Sequence, residues 1–301
     1  MVFLFRRIQF LELIFIDILS LTKKLYQKLR YGLIKRHFYY MTSSVRVLPD
    51  FIVIGAAKSG TTSLYEYFRN HSNLFGSYKK EIGFFDNNYN LGTEWYRTWF
   101  PTKNSMEKRI NNNKNLAYEV SPSYFQSPWC IKNMHETIPN PKLILVLRNP
   151  VDRTYSHYQH SARRGIKTKI PFRDLLNRDL ETYERIKNED NGIINKEFLW
   201  NSYIGPSIYA KLIKEWLKYF SLDQLLIFST EELKENHREV FSRIHDFLNI
   251  NDEEIDTVTK HNTGGDYTPL DSDLRQKLIN FFKPHNEELF NIINQKFDWD
   301  K

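Results

Sequence analysis

The sequence predicts an α/β protein: one parallel sheet flanked by helices, preceded by an amphipathic helical extension. Three observations carry this. Short apolar runs recur down the chain and each meets a turn signal: Phe51–Ile54 before Gly55, Leu116–Val120 before Ser121-Pro122, Lys142–Arg148 before Asn149-Pro150, and Leu225–Phe228. Such runs read as strands buried on both faces. Stretches with helical periodicity separate them, at about 153–164, 173–188, 206–219, 231–248 and 271–295, and strands alternating with helices imply parallel pairing. The third observation is compositional. A chain of 301 residues that is 41% hydrophobic and 15% aromatic can fill a core, which excludes disorder of the weakly hydrophobic, highly charged kind. There is no internal repeat and no Gly/Ser linker, so residues 47–301 are read as one domain. A single cysteine, Cys130, leaves neither a disulfide framework nor a cysteine zinc site.

Residues 1–46 form a separate regime. They hold nine basic residues against Glu12 and Asp17, which accounts for the whole net charge of +7 and leaves 34 basic and 34 acidic residues in the body. The basic balance therefore describes a tail, and nucleic acid is not an expected partner. Between Ile8 and Arg30 the polar residues fall on one side of a helix, with Leu13 and Ile16 intruding, while Leu11, Ile14, Phe15, Ile18, Leu25 and Leu29 lie opposite. No uninterrupted apolar span of about 20 residues occurs, which argues against a membrane-crossing helix. A cationic amphipathic helix resting on an anionic membrane fits residues 1–40, and a helix packed on the body or a partner chain fits as well. No cleavage site of a secretory signal follows. With one cysteine, the expected compartment is the cytoplasm, with or without membrane association.

Between the first strand and the next helix lies Gly55-Ala56-Ala57-Lys58-Ser59-Gly60-Thr61-Thr62. This is the position of a phosphate loop, where backbone N–H groups, hydroxyls and a helix N-terminus converge on an anion; the alternative is a plain strand–turn–helix corner. The glycine spacing matches that of the nucleoside triphosphatases, but Thr61 occupies their lysine position and the lysine here comes two residues before Gly60. The fold class is thus a P-loop-type parallel sheet with a displaced lysine.

Five separated segments carry a resemblance: Ile54–Thr62, Lys80–Asp86, Glu119–Phe125, Leu147–Ser156, and the ending Phe281–Asn286 with Phe297-Asp298-Trp299. Together, over about residues 50–301, they resemble the sulfotransferases that use 3′-phosphoadenosine 5′-phosphosulfate, and are most similar to the heparan-sulfate glucosaminyl 3-O-sulfotransferase branch. The resemblance implies the sulfotransferase fold, that nucleotide as sulfate donor with no metal, and a glycan or glycolipid hydroxyl or amine as acceptor. By analogy with phosphoryl transfer, the protein then positions the partners and neutralises charge. Lys58 would stabilise the leaving oxygen, the bland alternative being a solvated loop lysine, and Ser59, Gly60, Thr61 and Thr62 would donate to the 5′-phosphate. Glu81 is the implied general base. Its apolar neighbours Ile82, Phe84 and Phe85 suggest a raised pKa suited to proton transfer near neutrality, while a surface glutamate paired with Lys79 or Lys80 is the other reading. His157 and His160 compete for the role or are ordinary helix residues.

Arg148 ends a buried strand, where α/β folds place ligand contacts. The resemblance gives it and Ser156 to the nucleotide's 3′-phosphate, against a strand-end salt bridge for the arginine. Tyr209 is implied as a nucleotide contact or else belongs to the core. Thr263, Gly264 and Gly265 align with a lysine-glycine-arginine triplet that covers the nucleotide, without its two basic residues. Val120 stands where a lysine is expected near the acceptor, and the late cysteine pair of the animal enzymes is missing. Two other functions compete. One is a P-loop kinase, opposed by Thr61 and by a strand ending in Arg148 rather than in a magnesium-holding Asp. The other is a non-catalytic anion-binding or membrane-tethered protein.

Overall fold

The computed structural model describes residues 38–108, 114–138, 140–166, 170–188, 195–253 and 268–299. The expected amphipathic extension falls almost wholly outside these, as do Thr263, Gly264 and Gly265. Five parallel strands, β1 (Phe51–Gly55), β2 (Leu74–Gly76), β3 (Leu116–Val120), β4 (Lys142–Leu147) and β5 (Leu225–Ser229), form one sheet in the order β2-β3-β1-β4-β5. Every residue of β1 and β3 is buried, which is why β1 is continuously apolar rather than alternating; β3 departs from that pattern at Glu119 alone. Residues Ile52, Leu143 and Leu145 face one layer. It contains Leu212, Ile213 and Trp216 of α8 (Tyr209–Trp216) and Leu278, Phe282 and Leu289 of α11 (Ser272–Ile293). Phe51, Val53, Ile144 and Val146 face the other, with Leu64, Tyr67 and Phe68 of α1 (Thr61–Asn70) and Val240, Phe241 and Ile244 of α10 (His237–Leu248). Tyr67 and Phe241 stack there with ring centroids 3.5 Å apart.

The remaining helices are α2 (Gly92–Arg97), α3 (Lys103–Glu107), α4 (Ile131–Thr137), α5 (Pro150–Arg163), α6 (Phe172–Ile186), α7 (Lys196–Asn201) and α9 (Thr230–Glu235). The structure departs from the expected boundaries in instructive places. Strand β4 stops at Leu147, because Asn149 turns the chain and caps α5, its side chain accepting from the Val151 N–H and Pro150 taking the first helical position. The single helix expected over 231–248 breaks at Asn236 into α9, which opens on a Ser229/Glu232 capping box, and α10. The helix expected from 206 begins at Tyr209, after a 3₁₀ turn carrying Pro206. Strand β2 and the short helices α2, α3, α4 and α7 lie where no element is expected. Ahead of β1, Arg46 is buried and donates to the Phe100 carbonyl at 2.6 Å, fastening the chain to the body before residue 47.

Candidate active site

Residues β1 and β4 pair in register from Phe51↔Lys142 to Val53↔Ile144, then slip by one residue to Gly55↔Leu145. This irregularity at Ile54 lifts the chain out of the sheet as it enters the loop. Gly55 is required there, since a Cβ would lie 2.5 Å from Phe125 Cβ. Gly60, at φ 89°, is the N-cap of α1 and supplies no side-chain cap, while its carbonyl accepts from the Ser63 N–H. No side chain therefore caps the first N–H groups of the helix, the arrangement that leaves them to an anion. Thr230 holds the loop from behind, its hydroxyl lying 2.9 Å from both the Ser59 and the Leu147 carbonyl oxygens.

Cations surround this loop. Lys58 has its pKa pushed down, first by burial and then by Arg163, Arg148, Arg153 and Arg164. Arg148 reaches the Lys58 carbonyl with Nη1 at 3.3 Å. Arg153, absent from the expected site, is fully buried. It donates to the Ala57 carbonyl at 3.1 Å, to the Tyr203 carbonyl and to Ser207 Oγ, and burial pushes its pKa down to about 10. Helical spacing puts Arg153, Ser156 and His160 on one face of α5, and Ser156 is buried. The pKa of His160 is lowered by burial and by Lys58, Arg164 and Arg163, with Glu81 opposing. Lys58, Glu81 and the end of α5 thus share one electrostatic neighbourhood.

Glu81 arrives from the β3 side. Its N–H donates to the Val120 carbonyl at 2.9 Å, just past the strand end. Lys80 Nζ donates to Thr62 Oγ1 at 2.8 Å and lies 3.5 Å from Glu81 Oε1, tying the glutamate to the first turn of α1. The aromatic neighbours do not enclose the carboxylate: Ile82, Phe84 and Phe85 are buried in the core, whereas the Glu81 side chain is 60% exposed. The apolar enclosure expected around the carboxylate is therefore not there, and the ion pair with Lys80 is. Lys58 and Glu81 both adopt left-handed backbone, at φ 74° and 59°, a strain that collects at functional sites.

Tyr209 lies in the core between Phe125 and Trp299, its hydroxyl donating to the Arg148 carbonyl at 2.9 Å. It supports Arg148 from behind, and burial pushes its pKa up to about 12. Its ring is one of the largest fully buried side chains, in keeping with the core alternative. His157 packs against Tyr203 with ring centroids 5.0 Å apart.

The residues fit an anionic group at the loop on an observation independent of motif. Among the described residues, Ser59 Oγ and Arg153 Nη2 are buried donors without a hydrogen-bond partner, both beside the loop, and buried donors call for an acceptor. Arg153, missed by sequence, lies inside a segment that the sequence already singles out, and what marks it is contact across 96 residues of chain. The sequence offers Lys80 only as a partner for Glu81, and its bond to Thr62 spans 18 residues of chain.

Three comparisons bear on this arrangement. The family model described as "Sulfotransferase domain" matches residues 48–266. The chain is 28% identical to membrane-associated sulfotransferase kil1 of Dictyostelium discoideum, over 84% of this chain and 66% of that protein. It is 29% identical to bifunctional heparan sulfate N-deacetylase/N-sulfotransferase 4 of Mus musculus, over 82% of this chain and 30% of that protein. The chain thus spans about two thirds of the first relative and under a third of the second. A solved sulfotransferase from Alicyclobacillus acidocaldarius superposes with a TM-score of 0.64 at 24% identity, covering 85% of this chain and all of that one, and so shares the fold. With the family model covering well over half its length, the chain belongs to the sulfotransferase domain family.

Proposed function

We propose that the chain is a sulfotransferase that moves a sulfuryl group from 3′-phosphoadenosine 5′-phosphosulfate to a hydroxyl or amino group of a glycan or glycolipid. The observation that carries this reading is the meeting of the loop, Lys58 and its four arginines with Glu81, which Lys80 tethers to the same helix. In the proposed step the acceptor oxygen or nitrogen attacks sulfur and the bond from sulfur to the bridging phosphate oxygen breaks. The proton leaves the acceptor for Glu81, and Lys58 stabilises the negative charge that grows on the departing oxygen. Ser59, Gly60, Thr61 and Thr62 hold the 5′-phosphate. Arg148 and Ser156 hold the 3′-phosphate, the group that separates this donor from ATP, with a guanidinium fork and a hydroxyl. Thr263, Gly264 and Gly265 would contribute mainly backbone contacts. The glycan acceptor is supported by the relative named for heparan sulfate.

Peripheral association with an anionic membrane through the basic residues 1–40 belongs to the same proposal, supported by the relative named as membrane-associated. Among the described residues no helix is long and apolar enough to cross a membrane.

Thermal unfolding with adenosine 3′,5′-bisphosphate, against ATP with magnesium, tests the donor site. At about 100 times its dissociation constant the bisphosphate should add roughly 2.7 kcal/mol, and ATP should add far less. The reverse preference overturns the donor assignment. Glu81→Gln should then lower transfer at least about 100-fold while keeping the bisphosphate response; an unchanged rate removes Glu81 from the role of base.

A further inference from the structure

Behind the Glu81 segment lies a buried acid that the transfer step does not use. Glu119, the fourth residue of β3, is wholly inaccessible to solvent. Its Oε1 accepts from Ser121 Oγ at 2.6 Å and from the Tyr124 hydroxyl at 2.8 Å, and its Oε2 accepts from the Tyr96 hydroxyl of α2. The Tyr124 oxygen in turn accepts the Phe84 N–H at 2.8 Å. Phe84 follows Glu81 by three residues, past two left-handed positions, Glu81 itself and Gly83 at φ 63°. The segment is therefore pinned twice, at Glu81 N–H by the Val120 carbonyl and at Phe84 N–H by the Tyr124–Glu119 pair.

We propose that Glu119 is a positioning residue for the transfer: acting through the Tyr124 hydroxyl, it fixes the backbone that aims the Glu81 carboxylate. This rests on the sulfotransferase reading with Glu81 as base. A carboxyl at this place has a physical purpose that an amide lacks, because three hydroxyls donate to its two oxygens and an amide offers only one acceptor atom. The acidic and hydroxyl groups facing it are Tyr96 from α2, Ser121 and Tyr124 from the turn after β3, and the buried carboxyl of Asp86; the buried Cys130 thiol feels both carboxyls. Burial pushes the Glu119 pKa up to about 7, with the three hydroxyls pulling it down and Asp86 pushing it further up. Falling pH therefore protonates Glu119, turns one acceptor into a donor, and loosens the second pin.

Glu119→Gln and Tyr124→Phe test this, the second keeping the aromatic ring in the core. With the nucleotide donor and de-N-sulfated heparin as probe acceptor, each variant should lose about tenfold in kcat. The donor KM and the bisphosphate-induced melting shift should stay at wild-type values. The double variant should be no worse than Glu119→Gln alone, because the two residues act in series. The drop in wild-type kcat below about pH 7 should flatten in Glu119→Gln. Wild-type kcat in either variant, additive losses, or a parallel loss of the bisphosphate shift would overturn the proposal. Amide hydrogen exchange at Phe84 separates it from the function reading. If no sulfate moves even in the wild type, Phe84 should still exchange at least tenfold faster in Glu119→Gln, and unchanged protection there refutes the pin itself.

Discussion

At Lys58 the backbone is held at φ 74° and the ammonium sits among four guanidinium groups, so this residue destabilises the bare protein twice over. Left-handed backbone costs a non-glycine residue about 1 kcal/mol, and like charges add to that. Lys58→Gly should therefore raise the melting temperature of the ligand-free protein by roughly 2 °C while abolishing sulfate transfer. A fall in melting temperature would mean that Lys58 makes a stabilising contact that outweighs its strain. The same residue shows what a sequence can disclose at this scale. The displaced lysine is visible as a departure from GxxxxGK[ST], and Glu81 is visible before its aromatic pair. Arg153 is not, because what distinguishes it from any helical arginine is complete burial against the Ala57 and Tyr203 carbonyls, and burial is a property of the folded chain. The expectation for Glu81 failed for a related reason: adjacency to apolar residues in sequence does not mean enclosure by them, and Gly83 turns Phe84 and Phe85 into the core while the carboxylate stays outside.

Strand β3 brings a carboxyl into the interior of the molecule, and that carboxyl makes stability depend on pH. Glu119 titrates at about 7 in the folded protein against 4.5 for an unperturbed glutamate. The folded state then holds the proton more tightly, and stability is lost as pH rises from about 4.5 to about 7. Glu119→Gln carries no such term. Denaturant unfolding should show the variant gaining on the wild type by roughly 3 kcal/mol across that window, whereas a constant difference would place the Glu119 pKa near its ordinary value. Elements also differ in how legible they are. Strands β1, β3, β4 and β5 are readable because each is largely buried and mostly apolar, Glu119 being the exception inside β3. Strand β2 is three residues long and includes Gly76, which must be glycine because a Cβ would lie 2.8 Å from the Tyr118 ring and hydroxyl. Nothing in so short a run separates it from loop; its pairing with Leu116–Tyr118 is decided by β3.

For the molecule as a whole, the division of charge matters most: a strongly basic leading segment and a formally neutral body. Arg46 fastens the junction, through the Phe100 carbonyl, Thr42 Oγ1 and the face of Tyr39 at 4.1 Å. Removing residues 1–37 leaves that fastening intact, so the shortened protein should keep its melting temperature and sulfate transfer but lose binding to vesicles containing phosphatidylserine. Undiminished vesicle binding would move the membrane contact to the body. The motif segments made part of the architecture legible, since Ile54–Thr62, Glu119–Phe125 and Leu147–Ser156 mark the carboxyl ends of β1, β3 and β4, whereas Lys80–Asp86 lies in the stretch after β2 and the ending lies in and beyond α11. Their convergence was not legible, because it depends on the crossovers that set β3 and β4 on either side of β1. One feature of that convergence reaches beyond the reaction. The loop carries Lys58 within the charge field of Arg148, Arg163 and Arg164, an excess of positive charge at one point of a neutral body. Inorganic anions in the surrounding fluid should compete for those cations, so the apparent affinity of an anionic ligand should fall as phosphate or salt is added.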